Sequence, residues 1–180
     1  IYMPKEFILD VDGVEIEEAQ EKTIKLINIL EGLKVPTNIY FSGRGFHVGV
    51  PDTAFNWRPG KNLHLRVKDE LDKRGIYDYA DVSVTDKTRI IRLNNTLNSK
   101  SRLWKIFITH EELLNLNGLG ISALANKPRQ IEIPVLQCEP VFNIMEREIK
   151  KQTIKFKETI GSEPDPMLYP CIQTMLKGSS

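Results

Sequence analysis

Two runs that alternate apolar and polar residues flank Ser-Gly-Arg-Gly at positions 42–45, and the pairing they dictate limits what the rest of the chain can become. Successive side chains of a strand point to opposite faces. Ile39 and Phe41 before the turn, and Phe46, Val48 and Val50 after it, therefore share one face, while Ser42 and His47 fall on the other. A turn this short joins only antiparallel strands, and an apolar face of that length must be covered. Ser, Arg and His beside unhindered glycine backbone, Gly43 and Gly45 around Arg44, could also hold an anion. A water-compatible outer face explains the same residues, so the hairpin alone leaves both readings open.

The segments around the hairpin extend the pattern. "KEFILDVDG" sets Phe7, Leu9 and Val11 against Ile8, Asp10 and Asp12, a strand with both acids on one face. Ile16, Ala19, Ile24, Ile27 and Leu30 follow at helical spacing, with Gly32 as the expected stop. Residues 60–75 predict a second amphipathic helix, with Leu63, Val67 and Leu71 inward and Gly75 ending it. "YADVSV", "RIIRL" and "RLWKIFI" are strand-like, and Thr109 with Glu112 forms a capping box for a further helix. The succession is β-α-β-β-α-β with an extra strand pair: an α+β, RRM-like antiparallel sheet with its helices on one face. On the open second face the parity collects Asp10, Asp12, Ser42 and His47, joined by Asp81 and Ser83 opposite a buried Val82 and Val84.

Aspartates at i and i+2 of a strand project side by side, and their repulsion is relieved by shared divalent cations. A third carboxylate from a neighbouring strand would complete a two-metal clamp for in-line attack at phosphorus. A lone Asp-Val-Asp also reads as a solvated strand end entering the Asp12-Gly13 turn.

Taken together and in this order, "LDVDG", "SGRGFHV" and "DVSVTDKTRIIRLNNTLNSKS" resemble the three motifs of the archaeo-eukaryotic primase (primase-polymerase) superfamily, over roughly residues 6 to 108. The resemblance implies the catalytic half of that fold and a nucleotidyltransferase that synthesises primers or DNA on a template from NTPs or dNTPs, with two Mg or Mn ions. By matching position, Asp10, Asp12 and Asp81 would be the catalytic metal ligands, with Asp86 as the alternative to Asp81. Ser42, Gly43, Arg44, Gly45 and His47 would bind the triphosphate, together with Arg92 and Lys100. Such a site makes the hairpin a phosphate cradle, Arg44 being a planar multi-donor fork and His47 a directed donor. "RIIRLNNTLNSKSR" keeps Arg89, Arg92, Leu97 and Lys100 of the third motif but carries Asn94 for its proline, Thr96 for its serine, Asn98 for its histidine and Arg102 for its glycine. The family's α/β module normally precedes the Asp-x-Asp strand, whereas Asp10 here comes almost at once.

Two other functions share part of this signature. One is a repair polymerase of the end-joining type, which has a similar Asp-x-Asp and Ser-Gly pattern. The other is a non-catalytic RRM-like nucleic-acid-binding module, which would offer aromatic platforms where this chain offers carboxylates.

With 25 basic and 24 acidic residues the chain lacks the global positive charge of a general nucleic-acid binder. Its 180 residues suffice for a sizeable core. The prolines of 126–140 and 161–166 divide it into a catalytic core at 1–125, an exit segment and helix at 126–160, and a linker at 161–180. "LYPCIQTMLKG" resembles the start of the helical domain that follows many primase-polymerase cores, which implies a C-terminal helical extension and a helicase or accessory domain beyond it. Cys138 and Cys171 have no CxxC partner, so neither zinc nor a disulfide framework is legible and a reducing setting is expected. No membrane span is visible. The expected partners are single-stranded DNA template and primer, in the cytoplasm or nucleoid of a host cell, the gene being cellular, viral or plasmid-borne. Trp57 and Trp104 are expected to pack, His64 to lie at the surface or boundary, His110 to sit in the first turn of the capped helix with no ligand role, and the charged run at 146–157 to be a solvated helix face.

Overall fold

The computed structural model describes residues 5–56, 60, 62–85 and 90–144. The readings made for Trp57, Asp86, Arg89, Cys171, the 146–157 run and the 161–180 linker lie outside the described residues, as does the side chain of Val84.

Strands β1 (Glu6–Val11), β2 (Asn38–Phe41), β3 (Phe46–Pro51) and β4 (Ile106–Ile108) form one antiparallel sheet in the order β1-β3-β2-β4. Helices α1 (Ile16–Gly32), α2 (Leu63–Lys73), α3 (His110–Asn115) and α4 (Gly118–Leu124) complete an α+β fold compatible with an RRM-like layout. The parity read from the hairpin holds. Leu9, Val11, Ile39, Phe41, Phe46, Val48 and Val50 are all buried, in one core with Leu26, Ile27 and Leu30 of α1 and Val67 and Leu71 of α2.

Two of the helix ends marked in the sequence form as expected, and one does not. Gly75 takes a left-handed φ of +69° after α2, and Thr109 with Glu112 closes a reciprocal capping box on α3. Gly32, the expected stop of α1, instead remains in its last turn. The left-handed residue is Lys34, with φ +59°, because Val35 N–H reaches back to the Leu30 carbonyl and fastens the chain there.

The second half departs from expectation. "YADVSV" is no strand: Val82–Thr85 coils into a 3-10 turn and Val82 is 40 % exposed rather than buried. Its cause lies in Asp81, whose carboxylate accepts from Ser83 N–H at 2.8 Å and from Ser83 Oγ at 2.5 Å. Such a local Asx bond offers the backbone an alternative to a ladder. Residues 90–93 of "RIIRL" have no regular structure either, and Ile90 is almost wholly exposed. Of "RLWKIFI", only Ile106–Ile108 enters the sheet.

The second face of the sheet is covered along β2, β3 and β4, while Glu6, Ile8 and Asp10 of β1 on it are half-buried. Asn38, Tyr40, His47 and Phe107 on it are all buried. Arg129 donates to the Phe107 carbonyl and forms a two-pronged pair with Glu112, whose carboxyl it holds below the usual range. Asn95 exchanges hydrogen bonds with the Arg129 backbone, and Asn38 Nδ2 donates to the Pro134 carbonyl. The stretch after residue 125, marked by sequence as an exit, thus returns across the domain. Phe142 stacks on Phe55 with centroids 4.8 Å apart and, like Ile144, is buried in the main core.

Candidate functional site

The hairpin glycines are there for close approach by protein. Gly43 has φ +97°, and a Cβ on it would sit 2.6 Å from Ser101 Oγ and 3.1 Å from Asn98 Nδ2. A Cβ on Gly45 would run into the Val11 carbonyl and lie 2.9 Å from Asp12 Oδ1. Gly45 thereby lets the end of the Asp-x-Asp strand close onto the hairpin, and Gly43 does the same for the 98–101 loop. Ser42 N–H donates to the Gly45 carbonyl at 2.8 Å, while the Ser42 carbonyl accepts from Arg92 Nη2 at 2.6 Å and Asn98 Nδ2 at 3.4 Å.

Cross-strand register then sets Asp10 opposite His47. His47 Nε2 lies 3.4 Å from Asp10 Oδ1, with both side chains largely buried. Behind the imidazole stands Lys105, only 3 % exposed, whose Nζ is 2.8 Å from His47 Nδ1 and 2.6 Å from the Arg92 carbonyl. Burial, aided by the nearby Arg92 charge, pushes the lysine down to about 8 against the pull of Asp10 and Glu6. The sequence reading missed Lys105. Its one signal is a lone charge in the apolar run "LWKIF", in register with Phe107 and thus on the face of His47.

Asp81 arrives from a distant part of the chain. Its N–H donates to the Asp10 carbonyl at 2.7 Å, along the edge of β1 that β3 does not occupy. Its carboxylate is turned onto Ser83. Asp12 is exposed just beyond the end of β1, and Lys22 from α1 donates to its carbonyl at 3.2 Å.

Ser42, His47, Arg92, Asp10 and Asp81 are thus brought together. Arg44 and Lys100 are exposed on the turn and the facing loop. Asn98, in the place of the family histidine, braces the hairpin through Ser42 and folds its own loop by accepting from Lys100 N–H and Ser101 N–H. Arg92 Nη1 is buried with no hydrogen-bond partner among the described residues.

Carboxylate oxygens suit hard divalent cations, and the backbone sets Asp81 next to Asp10. Among the described residues, no group of three or more acidic, histidine or cysteine side chains stands in metal-holding geometry. No described helix is long and apolar enough to cross a membrane. No protein-family model matches the chain, and no curated protein matches it.

Proposed function

We propose that the chain is the catalytic core of a DNA primase or primase-polymerase, performing template-directed nucleotidyl transfer. The observation that carries this reading is the meeting of three remote segments at one corner of the sheet. Asp81 N–H donates to the Asp10 carbonyl, Asp10 faces His47, and Arg92 donates to the Ser42 carbonyl, which supports a common site for the acids, the hairpin and the basic loop. In the reaction, a 3′-hydroxyl oxygen bonds to the α-phosphorus of an NTP or dNTP, the bond to the β-phosphate breaks, and pyrophosphate leaves. Asp10, Asp12 and Asp81 would hold the divalent cations, Mg or Mn, which neutralise the triphosphate and lower the hydroxyl pKa.

The chain's own residues bind and orient. Arg92, with its unpaired Nη1, and the exposed Arg44 and Lys100 supply positive donors for the β and γ phosphates, and His47 supplies a directed one. Ser42 contributes by its backbone, which locks the hairpin to Arg92 and Asn98. The protein acts chiefly by position and charge.

A binding-only RRM-like module is disfavoured by the same face. Tyr40 and Phe107, its aromatic pair, lie 5.9 Å apart in an edge-on contact and are both 7 % exposed, so no base could stack on them. The end-joining polymerase remains a variant of the same chemistry. Gap filling on a 5′-phosphorylated duplex end, without initiation from two nucleotides, would favour it.

The test is calorimetric titration of nucleotide in Mn²⁺ and in chelator, for the wild type and Asp10→Ala. Metal-dependent binding that the substitution abolishes is the expected result. A folded wild type that binds no nucleotide under either condition would sink the reading.

A further inference from the structure

Lys105 is buried in the site, and its surroundings fix what it can do. An ammonium carries three N–H bonds and no lone pair. Three acceptors face this one: the Arg92 carbonyl at 2.6 Å, His47 Nδ1 at 2.8 Å, and the ring of Tyr40, whose centroid lies 5.0 Å away. Because the ammonium can only donate, His47 Nδ1 must accept, and the proton of the neutral imidazole then belongs to Nε2. That nitrogen is the one 3.4 Å from Asp10 Oδ1.

We propose that Lys105 is a positioning residue that holds His47 in the Nε2–H tautomer, so that the ring presents a hydrogen-bond donor at the Asp10 end of the site. Resting on the function proposed above, that donor would serve a nucleotide phosphate as well as Asp10. The tautomer decides the sign of the contact. With the proton on Nδ1, an imidazole lone pair would face a carboxylate and a phosphate, acceptor against acceptor. The separation of 3.4 Å is longer than a full hydrogen bond. Nothing in the mechanism requires Lys105 to touch substrate.

The experiment is a long-range nitrogen–proton NMR correlation on the full chain with labelled histidine, followed by nucleotide titration. The chain has three histidines, and His64→Gln and His110→Gln identify the signals of His47. In the wild type, His47 is expected to show a lone-pair Nδ1 and a protonated Nε2. A proton on Nδ1, or on both nitrogens near neutral pH, overturns the proposal before any variant is made. Lys105→Met is expected to release the ring into a mixture of tautomers, while Lys105→Arg retains the wild-type pattern. A Lys105→Met variant that folds and keeps the pure Nε2–H form also overturns it.

Loss of one correctly aimed donor should weaken nucleotide binding by about tenfold in Lys105→Met. Unchanged affinity in a ring of mixed tautomer refutes the phosphate-facing half of the proposal. If the wild type shows the expected tautomer, loses it in Lys105→Met and binds no nucleotide at all, positioning by Lys105 stands and only the assigned function fails.

Discussion

The lysine behind His47 should reveal itself in the alkaline stability of the protein. Lys105 is lowered from 10.5 to about 8 in the folded chain, first by burial and then by Arg92. At about 1.4 kcal/mol for each tenfold change in proton affinity, the difference comes to about 3 kcal/mol. The sign follows from proton counting. Between the folded and unfolded pKa values, the unfolded chain binds the proton that the folded chain has lost, so stability rises with pH across that window. Below about pH 8 both states are charged and the cost of burying the ammonium is fully present; above about pH 10.5 both are neutral and it is gone. Other groups titrate here too, tyrosines among them, and a comparison with Lys105→Met cancels them. Urea unfolding of the two proteins, from about pH 7.5 to about pH 10.5, should show wild type gaining about 3 kcal/mol on the variant. A difference that stays flat across this range would refute the assignment of a buried, depressed lysine.

Gly45→Ala would drive a methyl group into the Val11 carbonyl and against Asp12, both on the strand end that carries the acids. A loss of about 1–3 kcal/mol in unfolding free energy is expected, with nucleotide binding falling more than in a surface control; unchanged stability would show that the hairpin and β1 do not approach so closely. Arg129 and Glu112 make a pair whose strength depends on the carboxylate charge, and Glu112 is held low in the folded state. Its contribution is present above the ordinary carboxylate range and lost as pH falls through the lowered folded value, so Glu112→Gln should flatten the acid limb of the stability profile. An unaltered acid limb counts against the pair. Phe142→Ala, which empties a fully buried site against Phe55, should cost about 3–5 kcal/mol by thermal or urea unfolding. A cost under about 1 kcal/mol would show that the 126–144 segment is not part of the core.

Strict period-two alternation through β1, β2 and β3 made their faces legible in sequence, since a one-residue slip would turn the whole apolar set outward. The capping box of α3 was equally readable, because its bonds join residues three apart. Residues 81–93 were harder. "YADVSV" and "RIIRL" have the apolar density of strands, but Asp81 spends its carboxylate on Ser83 and bends the chain into a turn. Short local bonds of this kind leave no mark on periodicity.

What the sequence by itself determined is the antiparallel hairpin, the apolar face of the sheet, the two long helices and the places of Asp10 and His47 on one polar face. Each follows from chemistry within a few residues of the chain. Only tertiary structure decided that this polar face is covered along β2, β3 and β4, that Asp81 reaches the edge of β1 through its backbone, and that Lys105 stands behind His47. Those outcomes rest on contacts between segments remote in the chain. Burial then changes their chemistry: a lysine that would be an ordinary solvated charge has its pKa pushed down to about 8 once desolvated.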